Sequence, residues 1–332
     1  MKVGLTYDLK TDYAFKDNDP LDANAEFDHP GTIDVIAGAF SGAGYKVKKI
    51  GNVSSLLEKL HSLDVDIVFN ISEGLSGRNR ESQVPILLEM AGIPFVGADS
   101  LSLALSLDKI IAKKVFIAEG IPTPKFVEIK SLGQIDAAAG LGFPLFVKPR
   151  FEGSSKGLSE SSRVENRQQL LKQVELIITK YKQPALVEEF IRGTEFTVAI
   201  LGTDKPEVLP VVQIKIDGEL DLKDKFYTFG HITRSDAVEY IVPAPVAPAL
   251  IKKITDVSVA AYNAIECRDF GRVDVRVDEK GNPYVLEINP LPSLSTEDVF
   301  SIISRYQGIT YDRMIVRILE GALKRYNLKP VS

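Results

Sequence analysis

The sequence predicts an α/β protein, with α+β character in its later part, arranged in three domains. In residues 1–99, apolar strands alternate with apolar-periodic helices, which is typical of a parallel, doubly wound sheet. From about Ser100 the pattern changes to helices and pairs of strands, including a hairpin that turns at "DEKGN". The 332 residues, of which 45% are hydrophobic, suffice for two or three domains with large cores.

The first domain is predicted over residues 1–99. It begins with the strand "KVGLTYD" and a loop that runs from about Leu9 to Pro30. The segments that follow are a helix, a strand and a helix, then a strand, a helix and a short strand: "GTIDVIAGAFSGAGY", "KVKKIG", "VSSLLEKLHSL", "VDIVFNIS", "VPILLEMAG" and "IPFVG". Loops at the carboxyl ends of parallel strands bind ligands in such sheets, so the polar loop "EGLSGRNRESQ" is a candidate site.

The second domain is predicted over residues 100–183 and the third over residues 184–332. The second contains a long helix, two strands with a Gly/Ser loop, and a further helix: "SLALSLDKIIAKKVFIAEG", "IPTPKFVEI", "FPLFVKPRFEGSSKGL" and "NRQQLLKQVELIITKY". The third begins with the strands "PALVEEFI", "GTEFTVAIL" and "KPEVLPVVQI". A charged, irregular stretch, a helix over 247–265, the hairpin "FGRVDVRVDEKGNPYVLEIN" and a helix over 311–326 complete it.

Composition and charge exclude several classes of protein. The net charge of −5 gives no strong basic bias, so we expect neither a nucleic-acid partner nor an anionic membrane surface. The single cysteine, Cys267, excludes an intramolecular disulfide and fits a reducing compartment. The start, "MKVGLTYDLK", lacks the apolar core of a signal peptide, and no run approaches the roughly 18 to 20 apolar residues that span a bilayer. We therefore expect a soluble, cytoplasmic protein.

The last hairpin carries polar side chains on strands that otherwise look buried. Since strand residues alternate between faces, Glu287 and Asn289 are predicted to share one side with Val285, before the strand stops at a proline. Counting back from the turn places Asp274 within one residue of Glu287, with Arg272 beside it. Carboxylate and amide oxygens suit Mg²⁺ or Mn²⁺. An exposed hairpin face with a salt bridge would explain the same residues.

The segment "VKPRFEGSSKG" combines a strand lysine, Lys148, with a loop of small residues over 152–157. Backbone N–H groups in such a loop can approach phosphates closely. The spacing is not that of a G-x-x-x-x-G-K-[ST] phosphate loop. A flexible turn with incidental lysines is the alternative.

The segment "LVEEFIRGTEFTV" is a strand, a short apolar connector and the start of another strand. A connector of this kind can offer backbone groups to an adenine, and the carboxylate of Glu195 could accept ribose hydroxyls. An ordinary edge strand with surface glutamates would show the same sequence pattern.

Taken in series, "SLDK", "FVKP", "EGSSKG", "VEEFI", "GTEFTV", "GRVDV" and "LEINPLP" make the chain resemble the ATP-grasp superfamily. More closely, it is similar to the D-alanine–D-alanine ligase family over roughly residues 65 to 325. The resemblance implies the ATP-grasp fold, with three α/β domains and ATP between the second and third. It also implies an ATP-dependent carboxylate–amine ligase that works through an acyl phosphate with two Mg²⁺ (or Mn²⁺) ions. The substrates would be small and amino-acid-like, and a homodimer would be in keeping with the resemblance.

The resemblance also implies roles for individual residues. Arg272 would stabilise charge on the reacting carbonyl, and Ser154 would border both phosphates and substrate. The nucleotide would contact Lys109, Lys148, Gly153, Ser154, Ser155, Glu188, Glu189, Phe190, Ile191 and Glu195. The metal ligands would be Asp274, Glu287 and Asn289.

The chain departs from the family where substrates would bind. The family's Gly-Gly-x-Ser loop, whose glutamate holds the first substrate's ammonium, is absent, and Glu26 or Asp28 could substitute for that glutamate. The family's Lys-Tyr pair is absent from "YTFGHITRSDAVEYIVPAP", where His231 or Arg234 could serve, and His231 could equally be a solvated loop residue.

Two further departures concern the substrate carboxylate and the loop after the third strand. Ser293 of "LPS" would border the substrate, and Asp298 lies near the place of an expected carboxylate-binding serine. The loop "NISEGLSGRNRESQ" contains Glu73, Arg78, Arg80 and Glu81. Charges of both signs suit a zwitterionic substrate, and they would also suit a solvated loop with internal ion pairs.

Three functions are therefore weighed. The first is a ligase that makes a small dipeptide or related amide, with D-alanyl-D-alanine as the default product and another amino acid or a hydroxy acid as the alternative. The second is a non-catalytic nucleotide-binding protein of the same fold, against which the complete set of Arg272, Asp274, Glu287 and Asn289 argues. The third is a dinucleotide-dependent oxidoreductase, which lacks support because no G-x-G-x-x-G follows the first strand.

Overall fold

The computed structural model describes residues 1–232, 234 and 237–331, which form three β-sheets flanked by helices. The first sheet is parallel, with strand order β2-β1-β3-β4, as the alternation of strands and helices predicts. Its strands are β1 (Lys2–Tyr7), β2 (Lys46–Gly51), β3 (Ile67–Ile71) and β4 (Phe95–Val96). Its helices are α1 (Pro30–Gly42), α2 (Val53–Lys59) and α3 (Gln83–Met90).

The second sheet is antiparallel, with strand order β5-β8-β6-β7. Two helices precede it, α4 (Ser100–Leu107) and α5 (Lys109–Ala118). Its remaining elements are β5 (Phe126–Ile129), β6 (Leu145–Pro149), β7 (Arg163–Val164), α6 (Arg167–Leu176) and β8 (Ala185–Glu189). The predicted domain boundary at residue 183 assigns β8 to the third domain, whereas the structure pairs β8 with β5 and β6.

The third sheet follows the order β12-β11-β9-β13-β14, with β10 beside β9. Its strands are β9 (Gly193–Leu201), β10 (Glu207–Val208), β11 (Val212–Ile216), β12 (Val238–Ile241), β13 (Phe270–Asp278) and β14 (Pro283–Asn289). Its helices are α7 (Phe229–Ile232), α8 (Pro248–Ala264), α9 (Val299–Tyr306) and α10 (Tyr311–Arg325). The hairpin turns at residues 278–282, as predicted, and "KPEVLPVVQI" forms two strands rather than one because Pro210 interrupts the pairing.

The long helix predicted after residue 100 is two helices. Asp108 lies between α4 and α5, and its side chain accepts a hydrogen bond from Ile111 N at the start of α5. The same carboxylate receives hydrogen bonds from Arg78 and Arg150. Aspartate favours such a capping position over a helix interior, so the break places Lys109 in the first turn of α5.

The first and third sheets share a core, whereas the second sheet has a core of its own. Helix α10 packs on α1, and Ile315 and Leu319 share a buried cluster with Ile33 and Phe40 of the first domain. Helices α4 and α5 likewise contribute Leu103 and Phe116 to the core under β13. Burial of these shared apolar faces fixes the edge of the first sheet against the third sheet. Among the residues that the structure describes, no helix combines the length and the apolar character needed to cross a membrane.

Candidate active site

A cleft of about 1040 Å³ is lined by residues from all three sheets. Nearly every site residue predicted from the sequence borders it, including the hairpin residues, the loop 152–157 and the connector after β8. Arg78 and Arg80 are the exceptions. The Arg78 guanidinium donates to Asp108 outside this cleft, at 3.0 and 2.7 Å, and the Arg80 guanidinium contacts Glu26 and the carbonyl oxygen of Phe151. A substrate contact by Arg78 therefore has no support in this geometry.

The hairpin β13–β14 brings the predicted metal ligands together. Asp274 pairs with Glu287, and Arg272 pairs with Asn289. Asn289 Nδ2 donates to Asp274 Oδ2 at 3.0 Å, and Thr197 Oγ1 donates to Asp274 Oδ1 at 2.7 Å. Two carboxylates and an amide thus lie on adjacent positions of one face.

A β-bulge in β14 corrects the predicted alternation. The register shifts by one residue between Asp274 and Val275, so Val285 pairs with Val275 while Glu287 pairs with Asp274. Val285 is therefore buried in the core, and it does not share the cleft face with Glu287. An extra residue in one strand of a pair re-aims the side chains beyond it, which is how both Glu287 and Asn289 reach the cleft.

Every charged group of the hairpin face has a partner of opposite charge. Lys109 Nζ lies 2.8 Å from Glu287 Oε2, and Arg272 donates to both oxygens of Asp274 at 3.1 and 3.0 Å. Burial alone would raise the pKa of Glu287, but Lys109 and Lys148 outweigh it and hold that pKa at about 2. Glu287 is therefore an anion at any physiological pH.

A second group of ion pairs, on β6 and β8 of the second sheet, holds Lys148. Glu188 Oε1 lies 2.8 Å from Lys148 Nζ, and Glu188 Oε2 lies 2.8 Å from Lys113 Nζ. Burial would lower the pKa of Lys148, but Glu188 and Glu287 outweigh burial and raise it. Burial does prevail at Lys113, whose pKa falls to about 8 despite the Glu188 carboxylate. Glu188 thus fixes two ammonium groups rather than lying free for the nucleotide.

The connector after β8 forms an aromatic wall. Phe190 packs beside the rings of Phe146 and Phe226, at centroid distances of 6.2 and 5.9 Å, and those two rings lie 4.9 Å from each other. Arg276 covers Phe190 at 4.9 Å, donates to the carbonyl oxygen of Ile191, and meets Glu195 Oε2 at 3.0 Å. An aromatic wall that borders the cleft beside a carboxylate suits a flat heterocycle with an attached sugar.

The loop 152–157 is held against the first domain. Ser154 and Ser155 have φ values of +45° and +54°, a left-handed conformation that non-glycine residues adopt at a cost. Gly153 N donates to Glu26 Oε1 at 2.6 Å, and Lys156 Nζ lies 3.1 Å from Glu26 Oε2. The N–H of Gly153, predicted for phosphate, is therefore occupied by Glu26 in this conformation.

The edge of the first sheet contributes a cluster of acids to the cleft. Oxygen atoms of Glu26, Glu73 and Glu81 lie within 4.8 Å of one another. Glu26 also contacts Arg80, and the two cations around it outweigh burial and lower its pKa. Burial raises the pKa of Glu81 to about 7 and that of Glu73 well above its usual range. The two glutamates thus share one environment, and their pKa values are shifted in the opposite direction from the pKa of Glu26.

The remaining predicted substrate residues also border the cleft. Burial raises the pKa of Asp28 to about 7. His231 is buried, and its Nδ1 accepts a hydrogen bond from Thr228 N at 3.0 Å, so it is not a solvated loop residue. Ser293 Oγ accepts from Ser295 N, and Asp298 caps α9 with its carboxylate 3.9 Å from Arg272. In the stretch around Arg234, residues 233, 235 and 236 lie outside the described residues.

Sequence reasoning missed three residues as site residues: Arg276 and Thr197, which line the cleft, and Lys113, which is buried against Glu188. Arg276 alternates with Arg272 and Asp274 on β13, so the period of the strand could have identified it. Lys113 follows Lys109 by one helical turn on α5, a spacing that could also have been noticed. Thr197 meets Asp274 only through the pairing of β9 with β13, which the sequence does not reveal.

Comparisons with known proteins agree with this geometry. The family model described as D-ala D-ala ligase C-terminus matches residues 115–320. The chain is 40% identical to the uncharacterized protein y4sG of Sinorhizobium fredii, over 78% of this chain and 75% of that protein. It is 33% identical to the D-alanine–D-alanine ligase of Carboxydothermus hydrogenoformans, over 87% of this chain and 91% of that ligase.

Among solved structures, the chain resembles the D-alanine–D-alanine ligase of Bacillus anthracis complexed with ATP. The TM-score is 0.77 at 24% sequence identity, and the match covers 98% of this chain and 99% of that one. At this identity the likeness establishes the arrangement of the three sheets and no more.

Proposed function

Because this chain belongs to the D-alanine–D-alanine ligase family, we propose that it joins the carboxylate of one amino-acid-like substrate to the amine of a second. It is an ATP-dependent ligase with the ATP-grasp fold. In the proposed reaction a carboxylate oxygen attacks the γ-phosphorus of ATP, and ADP leaves. The amine nitrogen then attacks the acyl phosphate carbon, phosphate leaves, and the nitrogen loses a proton to give the amide.

The observation that carries this proposal is the convergence of cations and oxygen donors at one end of the cleft. Lys109 and Lys148 face it from α5 and β6, and Arg272 faces it from β13. Opposite them stand the oxygens of Asp274 and Glu287. Phosphoryl transfer needs positioning and charge neutralisation more than covalent chemistry from the protein, and this arrangement offers both.

The donor set of the hairpin fits a hard divalent cation. Asp274, Glu287 and Asn289 offer only carboxylate and amide oxygens, which are ligands that Mg²⁺ and Mn²⁺ accept. These three residues would hold the ions, up to two of them. Bound there, the metal would neutralise charge on the phosphates of ATP.

The ion pairs set what each side chain can do. Lys148 stays protonated because Glu188 and Glu287 raise its pKa against the effect of burial, so it acts as a fixed positive charge for phosphate oxygens. Arg272 is anchored by both oxygens of Asp274 and lines the cleft, where its guanidinium would stabilise charge on the reacting carbonyl of a substrate. Glu188 positions Lys148, and Arg276 positions the connector that would receive the adenine.

The loop 152–157 is suited to close the cleft. Glu26 holds it through Gly153 N and Lys156, which connects the loop to the first domain. Closure excludes water, which would otherwise hydrolyse the acyl phosphate. Ser154 borders the same space, in agreement with its proposed contact with both phosphate and substrate.

The test is release of inorganic phosphate from ATP and Mg²⁺ with a panel of D- and L-amino acids, offered singly and in pairs. A ligase releases one phosphate for each amide, and mass spectrometry of the mixture identifies the product. Phosphate release that does not depend on any amine or carboxylate would show a plain ATPase. Nucleotide binding without phosphate release across the panel would favour a non-catalytic protein.

Two other proposals rest on the resemblance and on composition. A homodimer is tested by light scattering on a size-exclusion column. A cytoplasmic location fits the single, buried Cys267 and is tested by fractionation of cells that express the tagged chain.

A further inference from the structure

The acidic end of the cleft, defined by Glu26, Glu73 and Glu81, contains more carboxylates than the described chain places cations in contact with them. The described cations in contact with it, Arg80 and Lys156, both contact Glu26. They also approach the neighbouring Glu152, at 3.7 and 2.6 Å. Four carboxylates against two cations leave an excess of two negative charges when all are ionised.

Glu81 is the most telling member of this acidic end. Its side chain is only 8% exposed, borders the cleft, and makes no hydrogen bond or ion pair with any residue that the structure describes. The Glu73 side chain, next to it, has no such partner within the described chain either. Glu81 is buried and Glu73 is partly buried, and holding an ionised carboxylate in such a place without a partner is costly. A cationic group from outside the protein would hold the two as anions.

Anionic and apolar groups do not fit this end. A carboxylate placed against Glu73 and Glu81 would be repelled, and an apolar side chain would leave both acids unpaired. An ammonium or guanidinium supplies several N–H donors and a positive charge, which match the acceptors that these acids present.

A divalent metal ion fits less well than an organic cation. Arg80 and Lys156 already contact the Glu26 carboxylate, so an ion that used all three glutamates would sit against two fixed positive charges. Those contacts leave Glu73 and Glu81 as the acceptors for a ligand. A singly charged ammonium or guanidinium suits two acceptors on one side of the cleft better than a divalent ion that needs six ligands.

We propose that the substrate bound at this end is an amino acid with a basic side chain, whose second cationic group is received by Glu73 and Glu81. This inference rests on the proposed ligase function and names the substrate class of the same cleft. Asp28, which also borders the cleft, is available for the α-ammonium, because its side chain has no ion-pair partner within 4 Å in the described chain. Burial raises the pKa of Asp28 and of Glu81 to about 7, as expected for acids whose cationic partner is absent.

The test compares substrates of nearly equal shape that differ in one charge. Ornithine is compared with norleucine, and 2,4-diaminobutyrate with norvaline, each as both enantiomers, by phosphate release with ATP and Mg²⁺. A charge-assisted contact to a buried acid predicts a kcat/KM at least tenfold, and up to about a hundredfold, higher for the dibasic member. Equal or better use of the neutral member would overturn the inference and leave the ligase function standing.

Variants locate the effect. Glu73→Gln combined with Glu81→Gln should reduce the dibasic preference to within a few-fold, while Glu58→Gln, on the exposed surface of α2, should leave it intact. A preference that survives the double change would place the second cation elsewhere and overturn the assignment. The wild-type comparison needs no variant, so a double variant that fails to fold does not remove the test.

A binding measurement separates this inference from the ligase proposal. Titration calorimetry of ornithine and of norleucine, into the chain with a non-hydrolysable ATP analogue and Mg²⁺, reports affinity without turnover. Tighter binding of ornithine would support the basic substrate even if no phosphate were released, and the absence of phosphate would contradict only the ligase function.

Calorimetry of Asp274→Asn with Mn²⁺ alone tests whether the acidic end binds a metal ion instead. Mn²⁺ binding that disappears when Glu73 and Glu81 are also replaced would overturn the inference.

Discussion

The two ends of the cleft treat charge differently. At the hairpin end, each ionised side chain meets an opposite charge: Lys109 meets Glu287, Arg272 meets Asp274, and Lys148 meets Glu188. At the acidic end, Glu73 and Glu81 have no such partner among the residues that the structure describes. The hairpin end is therefore organised before any ligand binds, whereas the acidic end is completed by its ligand.

This difference separates the chemistry from the choice of substrate. Pre-positioned charges cost little reorganisation during phosphoryl transfer, so they serve any substrate that carries a reactive carboxylate. Unpaired buried acids penalise every ligand that cannot neutralise them, and this penalty gives selectivity. Changes at the hairpin end should therefore abolish turnover, and changes at the acidic end should alter which amino acid is used.

The largest expected effect comes from Glu287→Gln. The change keeps the shape of the side chain, removes an anion from the proposed metal site, and leaves Lys109 without its partner. We expect kcat to fall by roughly a thousandfold, as for loss of a group that stabilises charge in the transition state. Phosphate release as a function of Mg²⁺ concentration measures it.

A matched control for that change lies in the same hairpin. Glu279→Gln alters a side chain that is 62% exposed at the turn, and kcat should stay within twofold of wild type. Normal turnover by Glu287→Gln, with an unchanged Mg²⁺ dependence, would refute the ligand role and remove the contrast between the two ends.

The second prediction concerns D-alanine as both substrates. The chain lacks the family's Gly-Gly-x-Ser loop and Lys-Tyr pair, and Asp298 lies 3.9 Å from Arg272, near the expected carboxylate site. Two lost charge-assisted contacts, at roughly 1.5 to 3 kcal/mol each, would lower kcat/KM by a hundredfold or more. Steady-state phosphate release with D-alanine alone measures this. A kcat/KM of about 10⁴ M⁻¹s⁻¹ or higher would show that the acidic end accepts a neutral side chain.

The hairpin end was largely predictable from the sequence, for a physical reason. Arg272, Asp274, Glu287 and Asn289 belong to one hairpin, so the period of a strand and the position of the turn bring them together. The prediction placed Asp274 one residue from its true partner because a β-bulge is not visible in the residue pattern. The order of strands and helices was predictable for the same reason, because strands and helices have local periods.

The residues of the acidic end could be predicted from the sequence, but their contacts could not. Glu26, Glu73 and Glu81 come from two loops of the first domain, and no local period relates one loop to another. The sequence suggested Glu26 or Asp28 as the replacement for a substrate-binding glutamate, and in the structure the Glu26 carboxylate is occupied by Arg80, Lys156 and Gly153 N. That distinction depends on distances across the cleft, which only a tertiary structure provides.

The third prediction uses pH to probe the acidic end without a substrate. Burial raises the pKa of Glu81 from 4.5 to about 7, so ionisation opposes folding increasingly from about pH 4.5 and fully above pH 7. Glu81→Gln should therefore raise the free energy of unfolding by on the order of 3 kcal/mol at pH 8, and by much less at pH 5. The charged groups that act on Glu81 are Arg80, Glu26, Lys109, Glu152 and Glu73.

Urea unfolding at the two pH values, without substrate, measures the difference. Glu58→Gln is the control, since its exposed side chain should change stability equally little at both. If Glu81→Gln raised the free energy of unfolding equally at pH 5 and pH 8, Glu81 would not be an unpaired buried acid. The contrast between the two ends of the cleft would then weaken.

The smallest expected effect comes from Thr197, which helps to orient the Asp274 carboxylate at the hairpin end. Its hydroxyl donates to Asp274 Oδ1 at 2.7 Å and is one of three donors that orient this carboxylate. Thr197→Val keeps the side-chain shape and removes only that donor, so Arg272 and Asn289 still hold Asp274 in place. Partners that orient a metal ligand typically contribute 10-fold or more to metal affinity. We therefore expect the Mg²⁺ concentration needed for half-maximal phosphate release to rise by about tenfold, with kcat at saturating Mg²⁺ changed by less.

Thr194→Val, on the opposite face of the same strand, is the control and should leave the Mg²⁺ requirement unchanged. A lowered kcat with an unaltered Mg²⁺ requirement would instead assign Thr197 to the alignment of Arg272, and the hairpin end would then depend on its ion pairs more than on a metal.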